Sequence, residues 1–309
     1  MLSALTLKQL RALVAVAEHG SMTAAAGDLH QTTPAIHAQI RKLEEIVQRP
    51  LLVRTRGGAG FVLTASGEAM ARAARRIEAN LSQAEADLRA IRRGLWGHVH
   101  LSTVSTGQYF APRLVRMLRD ALPEIEVSLH VGNRQEVIDT LDRGAADLAV
   151  IGRPPRRPLV QADPLAPHPH GIVVPPSHPL AGRDGFDPAE LMEETFLIRE
   201  EGSGTRVLMM RYFERLGEEA TPPMIEMNSN ETIKQAVIAG LGIAFLSLHT
   251  VHEELAAGRL ALLRGPGLPV MRQWYLVRPS EVTPTDACDQ VAGEIMRLAS
   301  ACLPRIGGS

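Results

Sequence analysis

Apolar residues in the first fifty positions recur at helical spacing. Leu7, Leu10, Val14 and Ala17 form one stripe, the pattern of an amphipathic helix. Thr6 stands where a cap belongs and Gly20 where the helix should stop. Ser21 is placed to cap a second, shorter helix, MTAAAGDL, whose three consecutive alanines permit close packing. HQTT then reads as a polar turn. Thr33 is expected to cap a third helix with Pro34 at its first position, where a missing N–H does no harm. Ile36, Ile40, Leu43 and Val47 run down one face of that helix. Pro34, Ala35, His37, Ala38, Arg41 and Lys42 occupy the other. Pro50 breaks it, and LLVRTR and FVLT, separated by GGAG, predict a two-stranded wing with Arg54 and Arg56 near its tip.

From position 64 to about 93 there is no proline, and the only glycine lies in the first turn. Met70, Ala74, Ile77, Leu81, Ala84, Leu88, Ile91 and Leu95 alternate spacings of four and three. That is the seam of a coiled coil. About 30 residues make a rod of roughly 45 Å, and one apolar stripe on such a rod calls for a second copy. Packing onto the chain's own C-terminal part is the alternative.

Beyond Gly97 the pattern changes. HVHLSTVST, EVSLHV and ADLAVIG read as strands, with RLVRMLRDAL and RQEVIDTLDRG as helices between them. This β-α-β-α-β order predicts a mostly parallel sheet. Nine of the 21 prolines fall between 154 and 179, which predicts a stiff, extended crossover. A second α/β unit follows, and VMRQWYLV looks like a strand returning to the first. The fold class is therefore α/β with an all-α-type winged helix-turn-helix at the N-terminus. The boundaries expected are 1–63 for the winged module, 64–95 for the linker helix and 96–309 for a two-lobed domain. Lobe I takes 96–165 and 270–309, and lobe II takes 166–269.

Charge sharpens this picture. The formal net charge is -1, but residues 1–95 carry 13 basic and 8 acidic side chains, an excess of +5, and the remainder is -6. A basic front suggests an anionic partner there. Two helices, a tight turn and a third helix showing small and polar residues form the pattern that enters a DNA major groove. Ser21, Thr32, Thr33, Pro34, His37 and Arg41 are the candidates for that surface, with Arg54 and Arg56 on the phosphate backbone or minor groove. A protein-interaction module without DNA is the competing reading. Two cysteines, Cys288 and Cys302, cannot make a disulfide framework and fit a reducing cytoplasm. No apolar run is long enough to span a membrane.

The stretch LKQLRALVAVAEHGSMTAAAGDLHQTTPAIHAQIRKLEEIVQRPLLVRTRGGAGFVLTASGEA resembles the winged helix-turn-helix of LysR-type transcriptional regulators. The matching features are Gly20-Ser21, the alanine run, Thr32 through Ile36, Leu43-Glu44, Leu51, Arg54, Leu63-Thr64 and Gly67. The chain departs from the family at His37, where serine is usual, at Gln48, where glycine is usual, and at Leu52, where phenylalanine is usual. The resemblance implies a linker helix that pairs two subunits, a homodimer or homotetramer, and an operator of double-stranded DNA with two half-sites. It also implies RNA polymerase as a partner and a periplasmic-binding-protein-like effector domain. LIREEGSGTR, NSNETIKQAVIAGLGIAFLSLHTVHEEL and GLPVMRQWYLV are similar to the CbbR subgroup, regulators of carbon dioxide fixation operons. That similarity implies activation of such genes and, as effector, a phosphorylated metabolite or NADPH.

Open α/β sheets bind ligands at the carboxyl ends of their strands. Ser102, Thr103, Ser105 and Thr106 follow the first strand, and Arg134 and Arg153 follow the second and third. Gly202-Ser203-Gly204-Thr205 lies between a strand and a helix, and Asn230 and Glu231 open the next helix. Small residues at helix N-termini suit an anion. These are the effector-site candidates. No Gly-x-Ser-x-Gly elbow, His-Glu-x-x-His or dinucleotide fingerprint is present, so neither an enzyme nor a resident cofactor is expected. His98 and His100 are expected on opposite faces of a strand, and His168 and His170 in the proline-rich crossover. No metal site is expected from either pair.

Overall fold

The computed structural model describes residues 4–55, 60–217 and 221–304. Its elements divide into two compact units, one of residues 1–85 with 142–145 and one of 86–141 with 146–309.

The first unit holds α1 (Leu7–His19), α2 (Met22–Asp28), α3 (Thr33–Val47), β1 (Leu52–Arg54), β2 (Phe61–Leu63) and most of α4 (Ala65–Arg92). Thr6 closes a capping box with Gln9, and Gly20 ends α1 at φ 64°. Ser21 caps α2 by accepting from the Ala24 N–H. The cap of α3 is Thr32, whose Oγ1 accepts from the Ala35 N–H. This corrects the expectation for Thr33, which already lies inside the helix. Leu10, Leu13, Val16, Ala25, Ile36, Ile40, Leu43, Leu51, Ala71 and Ala74 form the core. Glu44 ties the wing to α3: its Oε1 accepts from the N–H groups of Leu51 at 2.7 Å and Leu52 at 3.3 Å. Thr64 then accepts from the Gly67 N–H and donates to the Pro50 carbonyl. The Leu51 carbonyl packs so close that a Cβ on Gly67 would lie 2.0 Å from it. Gln48 ends α3 at φ 56°, a left-handed conformation that glycine adopts without penalty.

The second unit contains β3 (Gly97–Val104), α5 (Ala111–Ala121), β4 (Ile125–Gly132), α6 (Arg134–Arg143), β5 (Leu148–Ile151), β6 (Val160–Val174), α7 (Pro188–Met192), β7 (Phe196–Arg199), α8 (Gly204–Leu216), β8 (Met224–Met227), α9 (Asn230–Ile238), β9 (Ala244–Ser247), α10 (His252–Ala256), β10 (Ala261–Leu262), β11 (Val270–Pro279) and α11 (Asp286–Cys302). β3 pairs in parallel with both β4 and β5, as the alternating pattern predicts. β11 runs antiparallel between β5 and β6. β6 also pairs with β9 and β10, so one seven-stranded sheet is continuous through the unit. β7 and β8 form a short parallel pair.

One apolar core lies around β3, β5, β11, α5 and α11. Two others lie around β6, β7, β9, α8 and α9. Cys288 and Cys302 are buried in the first of these, and burial pushes their thiols up to about 12 and about 11.

The proline-rich segment, expected as a stiff, extended crossover, is extended, and much of it is paired as regular strand. Most of it is β6, the longest strand. Pro164, Pro167 and Pro169 sit where β6 pairs only with β11; pairing with β9 and β10 begins at His170. Over that length β6 is an edge strand, which can carry residues that lack a backbone donor. The faces expected for His98 and His100 are corrected too. Positions i and i+2 of a strand share a face, and the two rings lie 4.2 Å apart.

Candidate DNA surface and effector cavity

On α3, the side chains of Pro34, His37, Ala38, Arg41 and Lys42 are exposed, while Ile36, Ile40 and Leu43 are buried. A row of small and polar groups thus stands on a helix whose other face is locked into the core. Thr32 is exposed and Thr33 half-buried, both at the N-terminal end of the helix. Ser21 is half-buried and engaged as a cap. Arg41 is partly occupied, since its Nε donates to Glu45 at 3.2 Å. In the wing, Arg54 pairs across to Phe61 and its guanidinium rests 5.3 Å from that ring's centre. Arg56 lies outside the described residues.

The seam predicted on α4 has two parts. Ala74 is buried and Met70 packs against the winged core. Ile77, Leu81, Ala84, Leu88 and Ile91 are exposed. Leu95 is not on the helix. Gly94, at φ 75°, turns the chain, and the Leu95 N–H returns to the Ala90 carbonyl.

A cavity of about 470 Å3 opens in the second unit. It is lined by the predicted Ser105, Thr106, Arg134, Arg153, Gly202, Ser203, Gly204 and Thr205. The N-termini of α6 and α8 both border it, and such ends attract anions. Asn133 and Glu136 cap α6 reciprocally, and Ser203 caps α8. The two glycines are explained by close approach. A Cβ on Gly204 would meet the Arg134 stem at 3.2 Å, and one on Gly202, whose φ is +86°, would meet Gln135 at 3.3 Å.

Three further arginines reach the same cavity: Arg156 from the loop after β5, Arg211 from α8 and Arg272 from β11. The pattern of α/β alternation gives no hint of them. Five guanidinium groups therefore face one space that, among the described residues, no aspartate or glutamate lines. They repel one another. Arg211 is the chief cause that lowers Arg153 below the usual arginine value, followed by burial, Arg272 and Arg156. Burial first, then Arg153 and Arg211, lowers Arg134. An anion bound here would relieve that repulsion.

Four predicted effector residues lie elsewhere. Ser102 and Thr103 are buried within the sheet. Ser102 sits 3.4 Å from Thr140 Oγ1, and Thr103 donates to the Val150 carbonyl. Adjacent in β3, they point to opposite faces of the sheet, and both lie before the strand's end at Val104, where the cavity lining begins. Asn230 accepts from the buried Arg199 at 2.5 Å, and the same guanidinium donates to Ser105 at 3.0 Å and pairs with Glu200. Glu231 pairs with Lys234 and accepts from Tyr109. Of these groups only Ser105 lines the cavity; Arg199, Asn230 and Glu231 form a polar network beside it.

His168 and His170 line the cavity floor. Burial keeps His170 near a pKa of about 3 and His249 near about 4. His249 accepts from the Trp274 indole at 3.1 Å. Among the described residues no group of three or more histidine, cysteine or acidic side chains is placed to hold a metal ion.

Comparison with known proteins bears on both surfaces. Residues 7–68 match the bacterial regulatory helix-turn-helix protein, lysR family, and residues 92–298 match the LysR substrate binding domain. The HTH-type transcriptional regulator CbbR of Cereibacter sphaeroides is 55% identical over 303 residues, covering 98% of each chain. The regulatory domain of Synechocystis PCC6803 CcmR, solved in complex with 2-PG, superposes at a TM-score of 0.62 with 30% identity, covering 65% of this chain and 97% of that one. Full-length CbnR, solved with its target DNA, shares the fold at a TM-score of 0.62 and 24% identity over 96% of this chain and all of that one. The two family models together account for the winged module and for most of the α/β unit, and the chain belongs to the LysR family of bacterial transcriptional regulators.

Proposed function

We propose that this regulator senses a phosphorylated metabolite and, in the cytoplasm, activates genes of carbon dioxide fixation. The observation that carries the sensing is the cavity lined by five arginines and, among the described residues, by no carboxylate. Such a site holds a ligand of at least two negative charges. The pathway rests on the 55% identity to CbbR over nearly the whole chain, and the ligand class is supported by the 2-PG complex of the CcmR domain. DNA is read by Thr32, Thr33, Pro34, His37 and Arg41, and the duplex backbone is held by Arg54 and Arg56. Two copies pair through α4, so that two recognition helices meet two half-sites, and RNA polymerase is the downstream partner. Ligand binding between the lobes shifts their relative arrangement, and through it the spacing of the recognition helices.

The test compares wild type with Thr205→Asp, which places a carboxylate among the arginines. Calorimetry with 2-phosphoglycolate, ribulose bisphosphate, phosphoenolpyruvate and NADPH reports binding, and footprinting on the operator reports the response. Wild type should bind at least one of these and shift its footprint, and Thr205→Asp should bind the operator without responding. A wild type that binds none of them refutes the effector class.

A further inference from the structure

The floor of the arginine-lined cavity carries a polar atom that the fold leaves unpaired. His168 sits on β6, only 3% exposed, with its ring stacked on Trp274 at a centroid distance of 3.7 Å. Its Nε2 lies 2.9 Å from Ser247 Oγ. Its Nδ1 is buried and has no hydrogen-bond partner, a state that native interiors avoid. This nitrogen faces Gly152. A Cβ built on Gly152 would lie 3.0 Å from Nδ1 and 3.3 Å from Cε1. Both residues line the cavity. Gly152 does not have the left-handed backbone that would demand glycine, so its missing side chain serves to leave a notch in front of the nitrogen.

The chemistry of this pair is specific. Burial, then the neighbouring His170, His249 and Arg272, holds the His168 imidazole well below the usual histidine value. It is neutral, with one proton to place on either nitrogen. The Ser247 hydroxyl can donate to an unprotonated Nε2 or accept from Nε2–H, so Nδ1 is left as the donor in the first tautomer and the acceptor in the second. That two-way behaviour matches a ligand hydroxyl, which also does both. A phosphate oxygen only accepts and is drawn to the guanidinium groups instead.

We propose that His168 Nδ1 and the Gly152 notch form an uncharged subsite that reads a hydroxyl on the carbon skeleton of the anionic effector. Gly152 directly precedes Arg153, so the hydroxyl is read beside the anion. The ligand class is a phosphorylated polyol or hydroxy acid, as opposed to a phosphate ester with a bare hydrocarbon skeleton. This inference rests on the reading of the cavity as an anion-sensing site.

The full-length protein is titrated calorimetrically with orthophosphate, propyl phosphate and glycerol 3-phosphate. The two esters share the phosphate and the three-carbon chain and differ in hydroxyls. Wild type should bind glycerol 3-phosphate about tenfold more tightly than propyl phosphate, the size of one good neutral hydrogen bond. His168→Phe and Gly152→Ala should each bring that ratio to about one. Gly152→Ala keeps the imidazole and fills the notch, so it decides the matter if His168→Phe does not fold. Equal binding of the two esters by wild type, or a tenfold ratio retained in Gly152→Ala, overturns the subsite and leaves the anion site standing. If wild type binds none of the three, the anion-sensing reading falls and the subsite falls with it.

Discussion

Replacing Leu88 by glutamate tests whether α4 pairs two chains. Ile77, Leu81, Leu88 and Ile91 are 38%, 40%, 56% and 60% exposed. Burying a whole leucine or isoleucine side chain contributes about 1.5–3 kcal/mol. Covering what these four still expose would then contribute about 3–6 kcal/mol per chain, and twice that per pair. The cost of association is of the same order, so the seam has little to spare. Leu88→Glu removes about 1 kcal/mol of burial from each chain and sets two carboxylates against an apolar stripe, a further penalty of several kcal/mol. The pair should weaken by at least a thousandfold, since each 1.4 kcal/mol is tenfold. Light scattering at micromolar concentration reads the mass. Circular dichroism confirms that the helix is intact. If pairing also occurs through the effector domains, the product is a differently paired dimer, so a crosslink between cysteines placed at Leu81 reports the α4 contact directly. An unchanged mass together with an unchanged crosslink in Leu88→Glu would refute the seam.

Other substitutions test the winged module and the buried histidines. Gly67→Ala should destabilise the module by about 1–3 kcal/mol, the usual cost of overpacking, because its Cβ meets the Leu51 carbonyl. Gln48→Gly should stabilise it by up to about 1 kcal/mol by relieving the left-handed backbone; urea unfolding that moves both variants the same way contradicts these assignments. His37→Ala should cost about 1–3 kcal/mol on operator DNA and little on random DNA, whereas Arg54→Ala should weaken both and flatten the salt dependence by about one phosphate. Equal loss on both DNAs for His37→Ala takes it out of base readout. His170 and His249 have folded-state values of about 3 and about 4, below the unfolded value of about 6.5. Between those limits the unfolded chain binds more protons. Their contribution is therefore complete above pH 6.5 and is lost as pH falls, by about 2 kcal/mol per histidine between pH 7 and pH 5. Urea midpoints followed by tryptophan fluorescence measure it, and a flat profile over that range contradicts neutral burial of these rings.

The parts of this molecule that were legible in the sequence are those decided by near neighbours in the chain. Thr6, Gly20 and Ser21 act within three or four residues, so residue type and spacing were enough to place them. The same holds for the alternation of β3, α5, β4, α6 and β5, where each period is local. The error at Thr33 is of this kind too: Thr32 and Thr33 are both competent caps, and one residue of register separates them. That the extended proline-rich segment is a paired strand is not legible for a different reason. A proline is excluded from a strand only where its N–H would be needed, and that depends on which strand lies alongside. The partner, β11, is more than a hundred residues away in sequence.

The effector site divides along the same line. Ser105, Thr106, Arg134, Arg153 and the Gly202–Thr205 turn follow strands directly, so the strand-end rule finds them. Arg156, Arg211 and Arg272 arrive from a loop, a helix and a returning strand. In a chain where thirty of 33 basic residues are arginine, nothing in their local sequence sets them apart. His168 and His170 did carry a signal, since i and i+2 in any strand share a face. The prolines around them, which do not mark a paired strand, hide it. What gathers the arginines is the pairing of β11 with both β5 and β6, which carries Arg272 to the mouth opened by Arg153. The most informative perturbation of the site is therefore remote from its polar groups. Weakening the β11–β6 register near Trp274, where the ladder already shifts, should scatter the arginines and the His168 notch together. Trp274→Leu should thus lower anion affinity and abolish hydroxyl discrimination in one step, whereas Arg211→Ala should lower affinity for both phosphate esters and preserve the ratio between them.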